Sequence, residues 1–139
     1  MAFRKRFIHP DLFSDWELID LGLVGVLTFM GMICSADDVG NLKDCCKTIY
    51  AKTFPMTDDV VVKDVETAVK GLIKVGLVKE YEVDGQNYLH INRFHKYQKP
   101  SHPSNPEHPI DKRSLEDEDL PKATRDKILR WTKGVVSED

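Results

Sequence analysis

The feature that most constrains the fold is the dipeptide Asp84-Gly85, which separates two short segments rich in β-branched and aromatic residues. Aspartate followed by glycine readily adopts the left-handed backbone conformations of a tight hairpin turn. We therefore expect strands at residues 77–83 and 88–91, joined as a β-hairpin. Because a hairpin on its own is only marginally stable, other parts of the chain must pack against it.

Three segments with a helical spacing of apolar residues precede this hairpin. They predict three helices, over about residues 20–36, from Asp44 to Phe54, and from the capping residues at 57–59 to Gly76. The segment 36–42, between the first two helices, has the composition of a turn or a short strand. We expect seven apolar residues to converge in one core: Leu27, Ile49, Val65, Val69, Leu72, Ile73 and Leu77.

The predicted first helix contains an uncharged run at residues 21–34. This run is shorter than the roughly 20 residues that a membrane-spanning helix needs, so we interpret it as a buried helix of the core. Its glycines, Gly22, Gly25 and Gly31, indicate either a close crossing with another helix or a dimer interface. The N-terminal residues lack the pattern of a signal peptide, so we expect a cytoplasmic protein that does not associate with membranes.

The order of helix, short strand or turn, helix, helix and hairpin is typical of an α+β winged helix-turn-helix domain. This fold has a three-helix core, a third helix that can enter the major groove of DNA, and a hairpin that forms the wing. We assign this domain to residues 1–100. Winged helices also serve as protein-interaction modules, so the fold alone does not decide the function.

The chain beyond residue 100 is expected to form a linker and a helical tail. Four prolines between Pro100 and Pro109 exclude a regular element there, and we assign residues 101–118 to a proline-rich and acidic linker. The tail, 119–139, is predicted to hold a helix over about 119–133 that ends before Gly134. Such a short helix is marginal alone, so we expect a partner-binding face that docks on its own domain or on a second copy, formed by Leu120, Ile128 and Trp131.

The overall composition favours binding over catalysis. The 20 Lys and Arg against 23 Asp and Glu give a net charge of −3, so any DNA binding needs a local basic patch. Three cysteines, Cys34, Cys45 and Cys46, fit neither a disulfide framework nor a zinc site, and we interpret them as reduced thiols. We find no nucleophile with a base, no paired carboxylates and no phosphate-binding glycine loop. The sequence therefore predicts no enzyme, no cofactor and no metal site.

Two groups of residues are candidates for contact with nucleic acid. On the third helix, Lys63, Lys70 and Lys74 lie roughly together, but Asp64 and Glu66 stand beside them. The stretch from residue 85 to 106 contains no acidic residue and interleaves basic with aromatic side chains. Its candidates for contact with phosphates or unpaired bases are Gln86, Asn87, Arg93, His95, Lys96 and Lys99. Phe94 and Tyr97 could instead pack the wing onto the first helix.

Five segments together carry a resemblance to a known family: RKRFIHPDLFSD, SADDVGNL, KTIYAKTFP, GLIKVGLVKEYEVDGQNYLHINRF and FHKYQKPSHP. They resemble the N-terminal winged helix of phage replication-initiation and replisome-organiser proteins, which are related in architecture to primosomal DnaD-type initiators. The resemblance covers roughly residues 3–103. It implies a phage or prophage gene, origin DNA binding, self-association and delivery of helicase-loading partners, although no second large helical domain follows here.

Two classes of function remain open at this point. The first is a DNA-binding protein, on duplex or single-stranded DNA, that acts in phage replication initiation or gene control in the host bacterial cell. The second is a protein-binding adaptor or host-targeting factor, directed at host or phage replication or transcription proteins. The net acidity and the acidic approach to the third helix, at Asp58 and Asp59, favour the second class. Salt-dependent DNA binding separates the two classes.

Overall fold

The computed structural model describes residues 3–131 and the backbone of Val135–Val136. Within this part of the chain the fold is α+β, with six α-helices and a three-stranded antiparallel sheet. The helices are α1 (Trp16–Ile19), α2 (Gly22–Ser35), α3 (Cys46–Thr53), α4 (Val62–Lys74), α5 (Phe94–Tyr97) and α6 (Lys122–Arg130). The sheet strands are β1 (Asn41–Lys43), β2 (Val78–Val83) and β3 (Gln86–Ile91), in the order β1-β3-β2. Two 3-10 helices lie at Pro10–Ser14 and Lys112–Glu116, and β4 (Ile110–Asp111) pairs in parallel with β5 (Val135–Val136).

The predicted hairpin is confirmed. Its turn residues, Asp84 and Gly85, have φ of 51° and 79°, the left-handed backbone of a tight two-residue turn. The antiparallel register pairs Val83 with Gln86 across this turn, so β3 begins two residues before the predicted position. On its other edge β3 pairs with β1, which places a strand at the end of the predicted 36–42 turn.

The helix α4 is also confirmed, but it begins later than the capping residues at 57–59 indicate. The Asp64 carboxylate accepts a hydrogen bond from the backbone N–H of Val61 at 2.9 Å, and this contact fixes the start of the helix. On its apolar side, Val65 and Leu72 are completely buried. Gly76, with φ of 84°, supplies the left-handed residue that follows the helix.

The core lies between α2, α3, α4 and the sheet, and it confirms most of the predicted core residues. Ile73 and Leu77 pack at its edge, half-buried. The placement of Leu27 in the core is wrong, because 46% of its surface is exposed. The helix α2 is apolar on nearly every side, so its sequence does not show which side is buried. The structure buries the side that carries Thr28 and Met32.

The helix α2 crosses α3 closely at Gly31. A Cβ atom at this position would overlap the side chain of Thr53 on α3. A close helix crossing in the core, the first of the two interpretations, therefore explains Gly31. Among the described residues, no helix has the length and the apolar character needed to cross a membrane.

The segment predicted as a linker is packed against the domain. The stretch 100–109 has no helix or strand, as predicted, but its backbone N–H groups bind two buried aspartates. Ser104 N donates to Asp38 Oδ2 at 2.8 Å, and Glu107 N donates to Asp37 Oδ2 at 3.0 Å. Residues 110–116 add β4 and a 3-10 helix. Part of the segment 101–118, which was predicted as a linker, is therefore held against the domain by long-range hydrogen bonds at Ser104 and Glu107.

The tail helix docks on its own chain. Ile128 and Leu120 are buried together with Val39 and Ile110, and Trp131 packs at the edge of this small cluster. Docking on its own domain, the first of the two alternatives, therefore describes Leu120 and Ile128, which are covered and not available as an exposed partner-binding face. The helix is shorter than predicted, and its predicted end at 131–133 before Gly134 lies largely outside the described residues.

We predict that Ile128→Val loosens the tail locally. Removing one buried methyl group is expected to cost about 0.5–1.5 kcal/mol of local stability, because the neighbouring side chains relax only partly. Amide hydrogen exchange of α6 measures this loss as faster exchange. Leu129→Ala, at an exposed position of the same helix, should leave the exchange nearly unchanged. Equal exchange in the Ile128 variant and the wild type would contradict the docking.

Candidate nucleic-acid interface

Three exposed cations, Arg93, Lys96 and Lys99, lie where the chain leaves the hairpin, and we name them the exit patch. In the part of the chain that the structure describes, none of the three forms an ion pair with a carboxylate. Lys96 Nζ lies 5.3 Å from the centre of the Tyr97 ring. The exit patch therefore presents three positive charges that a polyanion could neutralise.

The buried residues of α5 and its exit fix the position of the exit patch. Phe94 lies in the core, in contact with Gly40, where a Cβ atom would lie 2.8 Å from the Phe94 Cβ. Gln98 is buried and bonds to the backbone of Phe7. Phe94 therefore has the packing role considered from the sequence, whereas Tyr97 contacts the ring of His9, with ring centroids 4.6 Å apart. Because these neighbours point inward, Lys96 and Lys99 point outward.

The expected contact of His95 with nucleic acid does not fit its position. Only 1% of its surface is exposed, and burial lowers its pKa, so the ring is neutral and enclosed at neutral pH. His90 is similar: its Nδ1 lies 2.7 Å from Asn41 Oδ1, and burial lowers its pKa to about 3. We therefore exclude His95 from the candidate interface.

The sheet is covered on a second face in addition to the face that points toward the core. The alternation of residues along β3 does not indicate this second cover. Tyr88, Leu89, His90 and Ile91 are all buried in succession. Segment 100–111 covers one face, where the ring of His108 lies 5.9 Å from that of Tyr88. The Tyr81 hydroxyl donates to Pro109 O at 2.6 Å on the same face. Residues that would otherwise point to solvent are therefore internal.

Gln86 and Asn87 are exposed at the start of β3, as the sequence suggests. Asn87 pairs in register with Glu82 of β2, and Asp84 is exposed in the turn. These carboxylates oppose phosphate binding at the tip of the hairpin. The positive charge is thus concentrated at the exit patch and not at the tip.

The lysines of α4 form a separate surface. Lys63, Lys70 and Lys74 are all exposed, on the side away from the buried Val65 and Leu72. Glu66 is exposed on the same helix. The α4 surface therefore has mixed charge, as the sequence predicts.

Two arginines of the N-terminal segment form ion pairs within the chain. The sequence alone did not assign them a role. Arg6 Nη1 binds Asp38 Oδ1 at 2.9 Å, and Arg4 pairs with Glu107. Burial raises the pKa of Asp38, but hydrogen bonds from Ser104 N and Arg6 outweigh it, so the net shift is downward. These contacts tie the N-terminal segment and segment 100–111 to the same turn. The two arginines are consequently much less available to a ligand than the exit patch.

A separate buried carboxylate, Asp111, pairs with Lys79 of β2 at 3.4 Å and with Arg113 at 2.9 Å, and its contribution to stability can be tested by pH. Burial raises the pKa of Asp111, but hydrogen bonds from Arg113 and the charge of Lys79 lower it to about 2. The unfolded value is near 3.9. A carboxyl group with a depressed pKa stabilises the folded state above its unfolded pKa, and this stabilisation is lost as the pH falls through the folded pKa.

We therefore predict that Asp111→Asn lowers the free energy of unfolding at pH 6, and that the difference from the wild type shrinks between about pH 4 and pH 2. Urea unfolding at a series of pH values measures it. Asp126→Asn, which removes a half-buried carboxylate of α6, serves as the control and should show a much smaller change. A difference for Asp111→Asn that stays constant from pH 6 to pH 2 would contradict the prediction.

Two further observations concern metal ions and cysteines in the described residues. They contain no group of three or more His, Cys, Asp or Glu that could hold a metal ion, and Cys34, Cys45 and Cys46 are free. Comparison of the chain with protein-family models, with curated proteins and with solved structures found no match. The function must therefore be inferred from the arrangement of the side chains.

Proposed function

We propose that this chain is a DNA-binding winged-helix protein of phage or prophage origin, acting in replication initiation or gene control inside the host bacterial cell. The observation that carries the proposal is the exit patch, with three exposed cations that lack carboxylate partners within the described residues. Cations held in this way can displace the counterions of DNA phosphates, and that release drives binding.

The order of the elements supports the winged-helix assignment. The chain runs α2, β1, α3, α4 and then the hairpin of β2 and β3, and the sheet order is β1-β3-β2. In this assignment α3 and α4 are the helix-turn-helix pair and the hairpin is the wing. The phage origin and the role in replication rest on the resemblance of the sequence segments named above, which also implies self-association.

A second candidate function, a protein-binding adaptor or host-targeting factor, is favoured by a different observation. Large apolar side chains are exposed in the N-terminal part of the chain, among them Phe13, Trp16 and Leu23. Aromatic side chains such as Phe and Trp are enriched in the core of protein–protein interfaces. The net charge of −3 also agrees better with a protein partner than with DNA.

Salt-dependent binding separates the two candidates. Fluorescence anisotropy with labelled duplex and single-stranded DNA, at several salt concentrations, measures the affinity of the wild-type chain. Three phosphate contacts predict that log affinity falls with log salt with a slope of at least about −2 to −3. Absence of salt-dependent binding to both DNAs would overturn the DNA-binding proposal and leave the adaptor.

A further inference from the structure

A groove of about 90 Å³ lies beside the exit patch, between the N-terminal segment and α5. Its apolar lining includes Leu18, Phe29, Ile91 and Phe94, which also belong to the core. Arg93 of the exit patch is one of its lining residues. The groove is several times larger than a site for one water molecule, for which about 10–15 Å³ suffices. It therefore has room for a group larger than water directly beside a cation.

One aromatic ring of the groove is held in an exposed position. Phe7 lines the groove, and 76% of its surface is exposed. Its backbone is fixed by the buried side chain of Gln98, which accepts from Phe7 N at 3.0 Å and donates to Phe7 O at 2.8 Å. The Phe7 ring is therefore attached to a backbone that two hydrogen bonds hold in place. Exposed rings on a fixed backbone are the platforms on which unpaired bases stack.

The polar residues of the groove carry both signs of charge. Arg93 contributes a cation, and two carboxylates also line the groove. Asp15 caps α1 by accepting a hydrogen bond from Leu18 N, whereas the Asp11 carboxylate is largely exposed, 3.7 Å from His9 Nδ1. A purely anionic ligand would be repelled by Asp11, and an apolar side chain would leave Arg93 without a partner. A nucleotide satisfies both residues, because its phosphate accepts from the guanidinium and the amino group of its base donates to the carboxylate.

We propose that this groove holds one unpaired base of a DNA strand, stacked on Phe7, with the adjoining phosphate on Arg93. The proposal rests on the DNA-binding function and refines it, because it assigns a preference for single-stranded or locally opened DNA. Asp11 accepts a hydrogen bond from an amino group of the base, so bases with an exocyclic amino group bind more tightly than thymine.

The test compares two labelled single strands of equal length and charge by fluorescence anisotropy, one intact and one with abasic residues. The wild type should bind the intact strand about 5- to 150-fold more tightly, the range expected from stacking of one base. Phe7→Ala and Phe7→Leu should both reduce this ratio to near one and leave the salt dependence unchanged. Phe13→Ala, an exposed phenylalanine that does not line the groove, is the matched control and should keep the ratio.

The outcomes distinguish the base-binding groove from the DNA-binding function. Salt-dependent binding with equal affinity for the intact and the abasic strand would overturn the groove proposal alone. Loss of the ratio in Phe13→Ala to the same extent as in Phe7→Ala would also overturn it. Displacement of the intact strand by micromolar deoxynucleoside monophosphate would overturn the assignment to a DNA strand, because the groove would then be a site for free nucleotides. Absence of salt-dependent binding to any strand would overturn both proposals.

Discussion

Replacement of Leu72 by alanine is expected to lower the free energy of unfolding by about 2–5 kcal/mol. Leu72 lies on α4 and is completely buried. It belongs to the core that α4 forms with α2, α3 and β2. Removing three carbon atoms there loses their transfer free energy and leaves a cavity, because surrounding side chains such as Val65 and Met32 relax only partly. Urea unfolding followed by circular dichroism measures the change.

The matched control for Leu72 is Lys70→Ala, two residues earlier on the exposed side of the same helix. Surface substitutions of this kind usually change stability by less than about 0.5 kcal/mol. A loss of less than about 0.5 kcal/mol for Leu72→Ala would contradict the central position of α4. Equal losses for the two variants would contradict the assignment of the buried side.

The second large effect concerns the exit patch. A variant with Arg93→Ala, Lys96→Ala and Lys99→Ala is expected to flatten the slope of log DNA affinity against log salt by about 2–3 units. Each cation that contacts a phosphate releases close to one counterion on binding, so three lost contacts remove nearly three from the slope. Fluorescence anisotropy at several salt concentrations measures the slope on duplex and single-stranded DNA.

A second triple variant, with Lys63→Ala, Lys70→Ala and Lys74→Ala, removes the same charge from α4 and controls for the change in net charge. It should alter the slope less, because Glu66 already offsets part of the positive charge on that helix. A larger loss in the α4 variant than in the exit-patch variant would mean that α4 and not the exit patch makes the main contact.

The elements that could be predicted from the sequence are those whose formation depends on residues close together in the chain. The hairpin follows from Asp84-Gly85, since few other dipeptides adopt its two left-handed conformations so readily. The helix α4 follows from apolar residues confined to one side, with Gly76 after its end. The apolar face of α6, with Ile128 at its centre, was predictable for the same reason.

The features that could not be predicted depend on contacts between distant parts of the chain. Segment 100–111 is held by Asp37 and Asp38, about 66 to 70 residues away, and local composition does not show such pairing. The burial of His95 likewise could not be read from its sequence neighbours, which are basic and aromatic. Leu27 was misplaced because α2 is apolar on nearly every side, which leaves its buried face undetermined.

The candidate site also has one part that could be predicted from neighbouring residues and one part that depends on contacts between distant residues. The exit patch was predictable because Arg93, Lys96 and Lys99 have no acidic neighbours in sequence. The groove was not, since Phe7 and Gln98 are 91 residues apart and only the folded chain brings them together. The exclusion of His95 likewise needed its burial to be known.

An amide NMR titration of the wild-type chain with single-stranded DNA tests the central claim most directly, because it locates the contact residue by residue. We predict that the largest chemical-shift changes fall on Arg93, Lys96 and Lys99 and on Phe7 at the groove, with smaller changes along α4. Changes confined to α4, or no changes at a DNA concentration well above that of the protein, would contradict the claim.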